Sequence, residues 1–236
     1  MEHLKDNISV ENHDTRENLS LVMSGKVDYA MISIVDYFRN KDQLQLVRGP
    51  TITGLGHSMS NLMISKQEGP HNGMRIGVTN QTETTAFFLR IVLDKTFPDS
   101  ILVRSKHSDP SSLLEENDFA LVIGDAALSV YSTSYRIIYD VTHMFSSLYS
   151  LYSIYAVTVK KNNSVAPEVF PADFRVSPWE KKKIASRMKL DIPSGILQRY
   201  YEVISYDYDS IIQGHLEKLE KLYFINSKRI FNSELS

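Results

Sequence analysis

The sequence predicts an α/β fold organised as two lobes. Three observations carry that expectation. Short, continuous apolar runs alternate with helical patterns up to about residue 159, which is how strands covered by helices read. After about residue 165 the pattern turns helical and is punctuated by Pro171, Pro178 and Pro193. A turn-rich stretch at 67–73 and an apolar run at 154–159 mark two crossings of the chain. One lobe then takes residues 1–70 and 160–236, and the other takes 71–159.

In order, "VDYAMIS" (27–33) reads as a buried strand ending at Ser33, and "IVDYFRN" as a short helix. "QLQLVRG" and "NLMISK" (61–66) read as strands. "MRIGVT" (74–79) is a strand that leads into a helix over 82–97. Phe87, Ile91, Phe88 and Val92 give that helix an apolar face. "SILVRS", "FALVIGD", "RIIYDV" and "IYAVTV" are four more strands, and the sheets are expected to be largely parallel. Helices follow at 172–189, 192–206 and 210–225. The tyrosine-rich stretch 131–155 reads as strand and core material. "EKKK" (180–183) reads as a solvated helix face.

The 236 residues carry a net charge of −2, which offers no electrostatic footprint for nucleic acid or an anionic membrane. Cysteine is absent, which excludes disulfides, a thiol nucleophile and Cys-metal sites. The polar, acidic start "MEHLKDNISVENHD" has no signal-peptide character, and no apolar run approaches a membrane span. The expected location is the cytoplasm, where the sequon Asn80-Gln81-Thr82 carries no weight. The seven histidines show no metal-ligand spacing, and neither a P-loop nor a nucleophile elbow is present.

Ligands of open α/β sheets bind beyond the carboxyl ends of the strands. The residues at those ends are Ser33, Thr79 with Thr82-Glu83-Thr84-Thr85, Gly124-Asp125 and Asp140. "VTNQTETTAF" (78–87) crowds hydroxyls into the first turn of a helix. Free N–H groups and the helix dipole favour an anion there, although threonine also serves as a plain cap. "GLGHSMSNLMIS" (54–65) is a glycine-rich turn with hydroxyls at Ser58 and Ser60. In "DFALVIGDAAL" (118–128) an apolar strand stops at Gly124-Asp125. Asp125 is expected to be a buried carboxylate that finds backbone donors and ties loops together.

These segments together resemble the chorismate dehydratase family of futalosine-pathway menaquinone biosynthesis. The resemblance rests on "SGKVDYAMISIVDYF", "TGLGHSMSNLMIS", "VTNQTETTAFFLRIVL", "LVIGDAAL" and "IIYDVTHMF", and spans about residues 20–159. It implies a two-lobed fold like type II periplasmic binding proteins, with a ligand cleft between the lobes. It implies dehydration of the dicarboxylate chorismate to 3-[(1-carboxyvinyl)oxy]benzoate without a cofactor or metal. Ser33, Ser60, Thr82, Thr84, Thr85, Gly124 and Asp125 fall on the family's substrate-binding pattern. Asp125 and Asp140 are the protein's candidates for the base, beside the substrate's own enolpyruvyl carboxylate. The chain departs from the pattern at Phe145, where tryptophan is usual, and in "SLYSIY", where the family has a Gly-x-Pro stretch. Members also open with a strand ending in an Asn-x-x-Pro-like stretch, and this chain begins beyond it. The neighbouring strand is then expected to have an unpaired edge, which makes the protein either poorly soluble or a homodimer through that edge.

Two other readings share the fold. One is the sister enzyme 1,4-dihydroxy-6-naphthoate synthase, which relies on a cleft histidine, for which His143 is the candidate. The other is a non-catalytic binding protein for a small carboxylate.

Overall fold

The computed structural model describes residues 9–66, 69–80, 82–171, 173–188 and 190–230. Parts of three expected segments lie outside the described residues: 67–68 of the turn-rich stretch 67–73, 81 of the stretch 78–87, and 172 and 189 of the helix 172–189. The chain divides into two compact units. The first holds residues up to Thr53, Ile154–Val176 and Ser205–Glu220. The second holds Gly54–Ser153, Ser177–Ile204 and the residues from Lys221 on.

The first unit starts with α1 (Thr15–Met23), β1 (Ala30–Ser33), α2 (Ile34–Arg39) and β2 (Leu44–Leu46). Asp14 caps α1 by accepting from the backbone of Arg16 and Glu17, an arrangement that satisfies otherwise orphaned helix-start donors. β3 (Ile52–Gly54), β9 (Ser153–Lys161) and β10 (Ile204–Ser205) complete a sheet of order β1-β9-β3-β10, with β2 also on β9. β1 and β2 both run antiparallel to β9. Ile32, Ile34, Val35, Val157 and Val159 are fully buried.

The second unit is built on β4 (Asn61–Ser65), β5 (Arg75–Thr79), β6 (Ile101–Ser105), β7 (Phe119–Ile123) and β8 (Arg136–Asp140). Their order is β6-β5-β7-β4-β8. β5 is parallel to β6 and to β7, while β4 is antiparallel to β7 and to β8. The sheet is therefore mixed, which corrects the expectation of largely parallel sheets. A continuous apolar run such as "NLMIS" shows burial on both faces but not direction.

The helices of this unit are α3 (Glu83–Thr96), α4 (Pro110–Glu116), α5 (Gly124–Val130), α6 (Val141–Tyr149), α7 (Pro178–Arg187) and α8 (Ser194–Val203). The long α9 (Ser210–Asn226) follows, with a short 3₁₀ turn at Ser227–Arg229 after it. α3 is buried all round rather than on one stripe. Its Arg90, 1% exposed, donates to the Ser100 and Pro98 carbonyls and pairs with Asp94. Phe88 packs on Phe145 of α6 at 4.7 Å between ring centroids.

The division corrects the expected lobe boundaries. β4 lies between β7 and β8, so residues 54–66 belong to the second unit and not to the first. α7 and α8 belong there too; Ile196 and Leu197 of α8 pack on Leu128 of α5. Tyrosine-rich 131–155 is not strand throughout: it contains the helix α6. Among the described residues, no helix is long and apolar enough to cross a membrane.

Gly54 shows how tightly α6 is set. A Cβ on Gly54 would lie 2.5 Å from Thr142 Cγ2 in α6. Gly54→Ala must push the helix or the strand, and overpacking of this kind costs about 1–3 kcal/mol. A thermal melt of the variant checks this; an unchanged melting temperature would show that α6 yields freely.

Candidate functional site

Register gathers the sequence-selected residues of the second unit. β5 and β6 pair Thr79 with Ser105 at their carboxyl ends. Asn61, the first residue of β4, faces Ile123, the last of β7, and Leu62 faces Asp140, the last of β8. The carboxyl ends of four strands and the amino end of β4 therefore share one sheet edge. The starts of α3, α5 and α6 lie on that edge, together with the loop 54–60.

Asp140 organises this loop. Its Oδ2 accepts from the backbone N–H groups of Ser58 at 2.9 Å and Met59 at 2.8 Å. Its Oδ1 accepts from the Ser58 hydroxyl at 3.3 Å and, as the cap of α6, from His143 N at 3.2 Å. Met59 is held at φ +59°, a left-handed conformation unusual for a side-chain-bearing residue. The imidazoles of His57 and His143 stack beside the carboxylate, 4.3 Å apart and 3° from parallel, with His57 Nδ1 4.0 Å from Asp140 Oδ2. Among the described residues, no group of three His, Asp or Glu side chains is placed to hold a metal ion.

Asn61 links the loop to α3. It donates to the Ser58 and Ser60 hydroxyls at 3.2 and 3.3 Å. It accepts from the Thr85 hydroxyl at 2.8 Å. The Ser60 carbonyl accepts from Gly124 N at 2.8 Å. Gly124 has φ +58° with open space where a Cβ would point; its backbone conformation, rather than crowding, calls for glycine. Thr82, Thr84 and Thr85 are all buried. Thr82 makes no capping bond, and the buried Thr84 Oγ1 has no hydrogen-bond partner. A donor-rich first turn with a spare hydroxyl is equipped to receive an anion.

The two aspartates have exchanged the places expected of them. Asp125 is not buried: it is exposed in the first turn of α5, whose cap position, Ile123, supplies no side-chain bond. Asp140 is the carboxylate that collects backbone donors and ties loops. Sequence reasoning could not separate them, because two of the donors come from Ser58 and Met59, far back in the chain. Asn61 and the His57–His143 stack were not singled out either. Asn61 opens the apolar run of β4, where its polarity is the one local mark it carries, and His57 lies inside a glycine-rich turn, where nothing local marks it.

Ser33 lies in the first unit. It caps α2, accepting from Asp36 N at 3.0 Å and donating to Asp36 Oδ2 at 2.7 Å. Near the second-unit site, burial first and then the charge of Asp140 push the Tyr131 phenol up to about 12, against the opposing Arg199. Burial and then the charge of Asp125 also raise Tyr201. Both phenols therefore stay protonated as donors near neutral pH.

The mixed α/β fold is that of substrate-binding proteins. A protein of Archaeoglobus fulgidus is similar to it with a TM-score of 0.63 at 14% identity, over 93% of this chain and 86% of that one. An ABC transporter protein of Parabacteroides distasonis gives 0.62 at 12% identity, over 96% and 86%. The periplasmic aliphatic sulphonate binding protein of Escherichia coli gives 0.61 at 9% identity, over 93% and 77%. Comparison with curated proteins finds no match. By sequence, the chain belongs to the menaquinone biosynthesis family, whose model matches residues 4–223.

Proposed function

We propose that this member of the menaquinone biosynthesis family is a chorismate dehydratase, a hydro-lyase forming 3-[(1-carboxyvinyl)oxy]benzoate and water. The observation that carries the reading is the first turn of α3, where Thr84 Oγ1 is buried without a partner beside Thr82 and Thr85. A substrate with two carboxylates needs such donors more than it needs a nucleophile. The reaction breaks one ring C–H and one ring C–O bond. The proton and the hydroxyl leave as water, and aromatisation drives the step. The protein has to hold the substrate and stabilise developing charge.

Ser60, Thr82, Thr84, Thr85 and the Gly124 backbone form the substrate-binding set in this reading. The oxygens of Asp140 already serve Ser58, Met59 and His143. Asp125 is therefore the protein's candidate to take the ring proton, with the substrate's enolpyruvyl carboxylate as the other candidate.

Purified protein incubated with chorismate should yield an aromatic product lighter by one water, read by absorbance and mass. Chorismate recovered unchanged would overturn the assignment. Protection against melting without turnover would indicate a carboxylate-binding protein instead. The His57–His143 stack favours a second reading, an enzyme like 1,4-dihydroxy-6-naphthoate synthase. Turnover of that enzyme's substrate, and none of chorismate, would select it.

Thr84→Val tests the anion site directly. The hydroxyl has no partner to lose, so the melt should hold or rise slightly. A lost hydrogen bond to a charged group is worth roughly 1.5–3 kcal/mol, so chorismate affinity should fall about tenfold or more. Titration calorimetry reads this, and unchanged affinity would remove Thr84 from the site.

A further inference from the structure

Resting on the two-carboxylate substrate of the dehydratase reading, we propose that Arg104 is the cation of this site, held in wait by Glu83 and transferred to a substrate carboxylate on binding. β6 pairs Arg104 with Val78 of β5, the strand that leads into α3. The guanidinium Nη2 lies 3.3 Å from Oε1 of Glu83, the first residue of α3. Arg104 is thus anchored to the same helical turn that carries Thr82, Thr84 and Thr85.

Three features suit the pair to exchange. The side chains are 37% and 25% exposed, so water screens them and the pair is weak. At 3.3 Å the Glu83 contact is at the long end of hydrogen-bond range. A guanidinium can grip a free carboxylate through two parallel bonds, a stronger arrangement. Lys106 follows Arg104 just beyond the carboxyl end of β6 and is exposed, adding positive field where an anion would arrive. Glu83 has the opposite effect. It is a carboxylate already placed on the first turn of α3, and it competes with the substrate's for the same cation.

The alternative role is a plain ion pair that staples β6 to α3. The two roles differ in what paired substitutions do to affinity. Binding of chorismate and of isophthalate, a non-reacting aromatic dicarboxylate, is measured by titration calorimetry on the parent, Arg104→Gln and Glu83→Gln. Arg104→Gln should weaken both ligands by about tenfold to a hundredfold. Glu83→Gln should tighten both by about two- to fivefold. A staple would move both melting temperatures down and leave both affinities alone, which overturns the proposal. So would weakening by Glu83→Gln, or a parent that binds neither dicarboxylate. If the parent binds isophthalate with the expected pattern but never dehydrates chorismate, Arg104 stands and the dehydratase reading falls. If chorismate is dehydrated and Arg104→Gln binds like the parent, the dehydratase reading stands and the Arg104 assignment falls.

Discussion

Asp125→Asn should leave the melting temperature unchanged and cut chorismate turnover by about 10²–10⁴-fold. The first half follows from exposure. Asp125 stands open to solvent in the first turn of α5, and asparagine keeps its size and one acceptor oxygen. Surface substitutions away from caps and buried networks rarely move stability far. The second half follows from elimination at the sheet edge. Asp140 is engaged by three backbone donors and one hydroxyl, whereas Asp125 leaves its oxygens available to solvent and ligand. Steady-state rates and thermal melts on the same preparation decide the matter. An unchanged rate would pass the proton to the substrate's own carboxylate. A lowered melt with a matching loss of rate would return Asp125 to a structural role.

The strands of the second unit were legible because their apolar runs are unbroken. Phe119–Ile123 and Asn61–Ser65 are buried nearly throughout, so continuity was the right signal. Strand direction was not legible. β4 pairs antiparallel with β7 although β5, α3, β6 and α4 all intervene in the chain between Ser65 and Phe119, and no local pattern encodes that choice. α4 was readable and missed: Asp109 caps it and Pro110 opens it, a plain helix-start signal. α6 was hidden by the tyrosine-rich stretch around it and its β-branched start, although Val141 and Phe145, four apart, lie on its buried face with Thr142.

The site was legible as a set of strand ends and illegible as a network. The rule that ligands bind at carboxyl ends selected Thr82, Thr84, Thr85, Gly124 and Asp140, and the register does bring their backbone positions to one edge. Which carboxylate would be clamped depended on where the loop 54–60 returned. That loop meets Asp140 only because β4 lies beside β8. Asn61, the hub between Ser58, Ser60 and Thr85, is polar within a buried strand. A polar side chain at a strand's first position, next to a hydroxyl-rich loop, is the signal that was available for it.

Asp140→Ala should lower the melting temperature by about 6–12 °C, the equivalent of about 3 kcal/mol in a chain of this size. The side chain is only 10% exposed. Losing the cap of α6 costs about 1 kcal/mol. The N–H groups of Ser58 and Met59 lose their acceptor at the same time, and each buried donor left unpaired costs about 1–3 kcal/mol unless water reaches it. Met59 gives the loop a reason to move once released, since its left-handed backbone is sustained only where the surroundings over-determine it. Relaxation of Met59 would carry Ser58 and Ser60 with it, and with them the Asn61 bonds that reach Thr85. Ligand affinity should therefore fall along with stability, unlike in Asp125→Asn. Asp140→Asn retains one acceptor oxygen and should lie between Ala and the parent in the melt. A melting temperature for Asp140→Ala equal to the parent's would mean that the loop is held by other contacts, and that Asp140 is free to be reconsidered as the base.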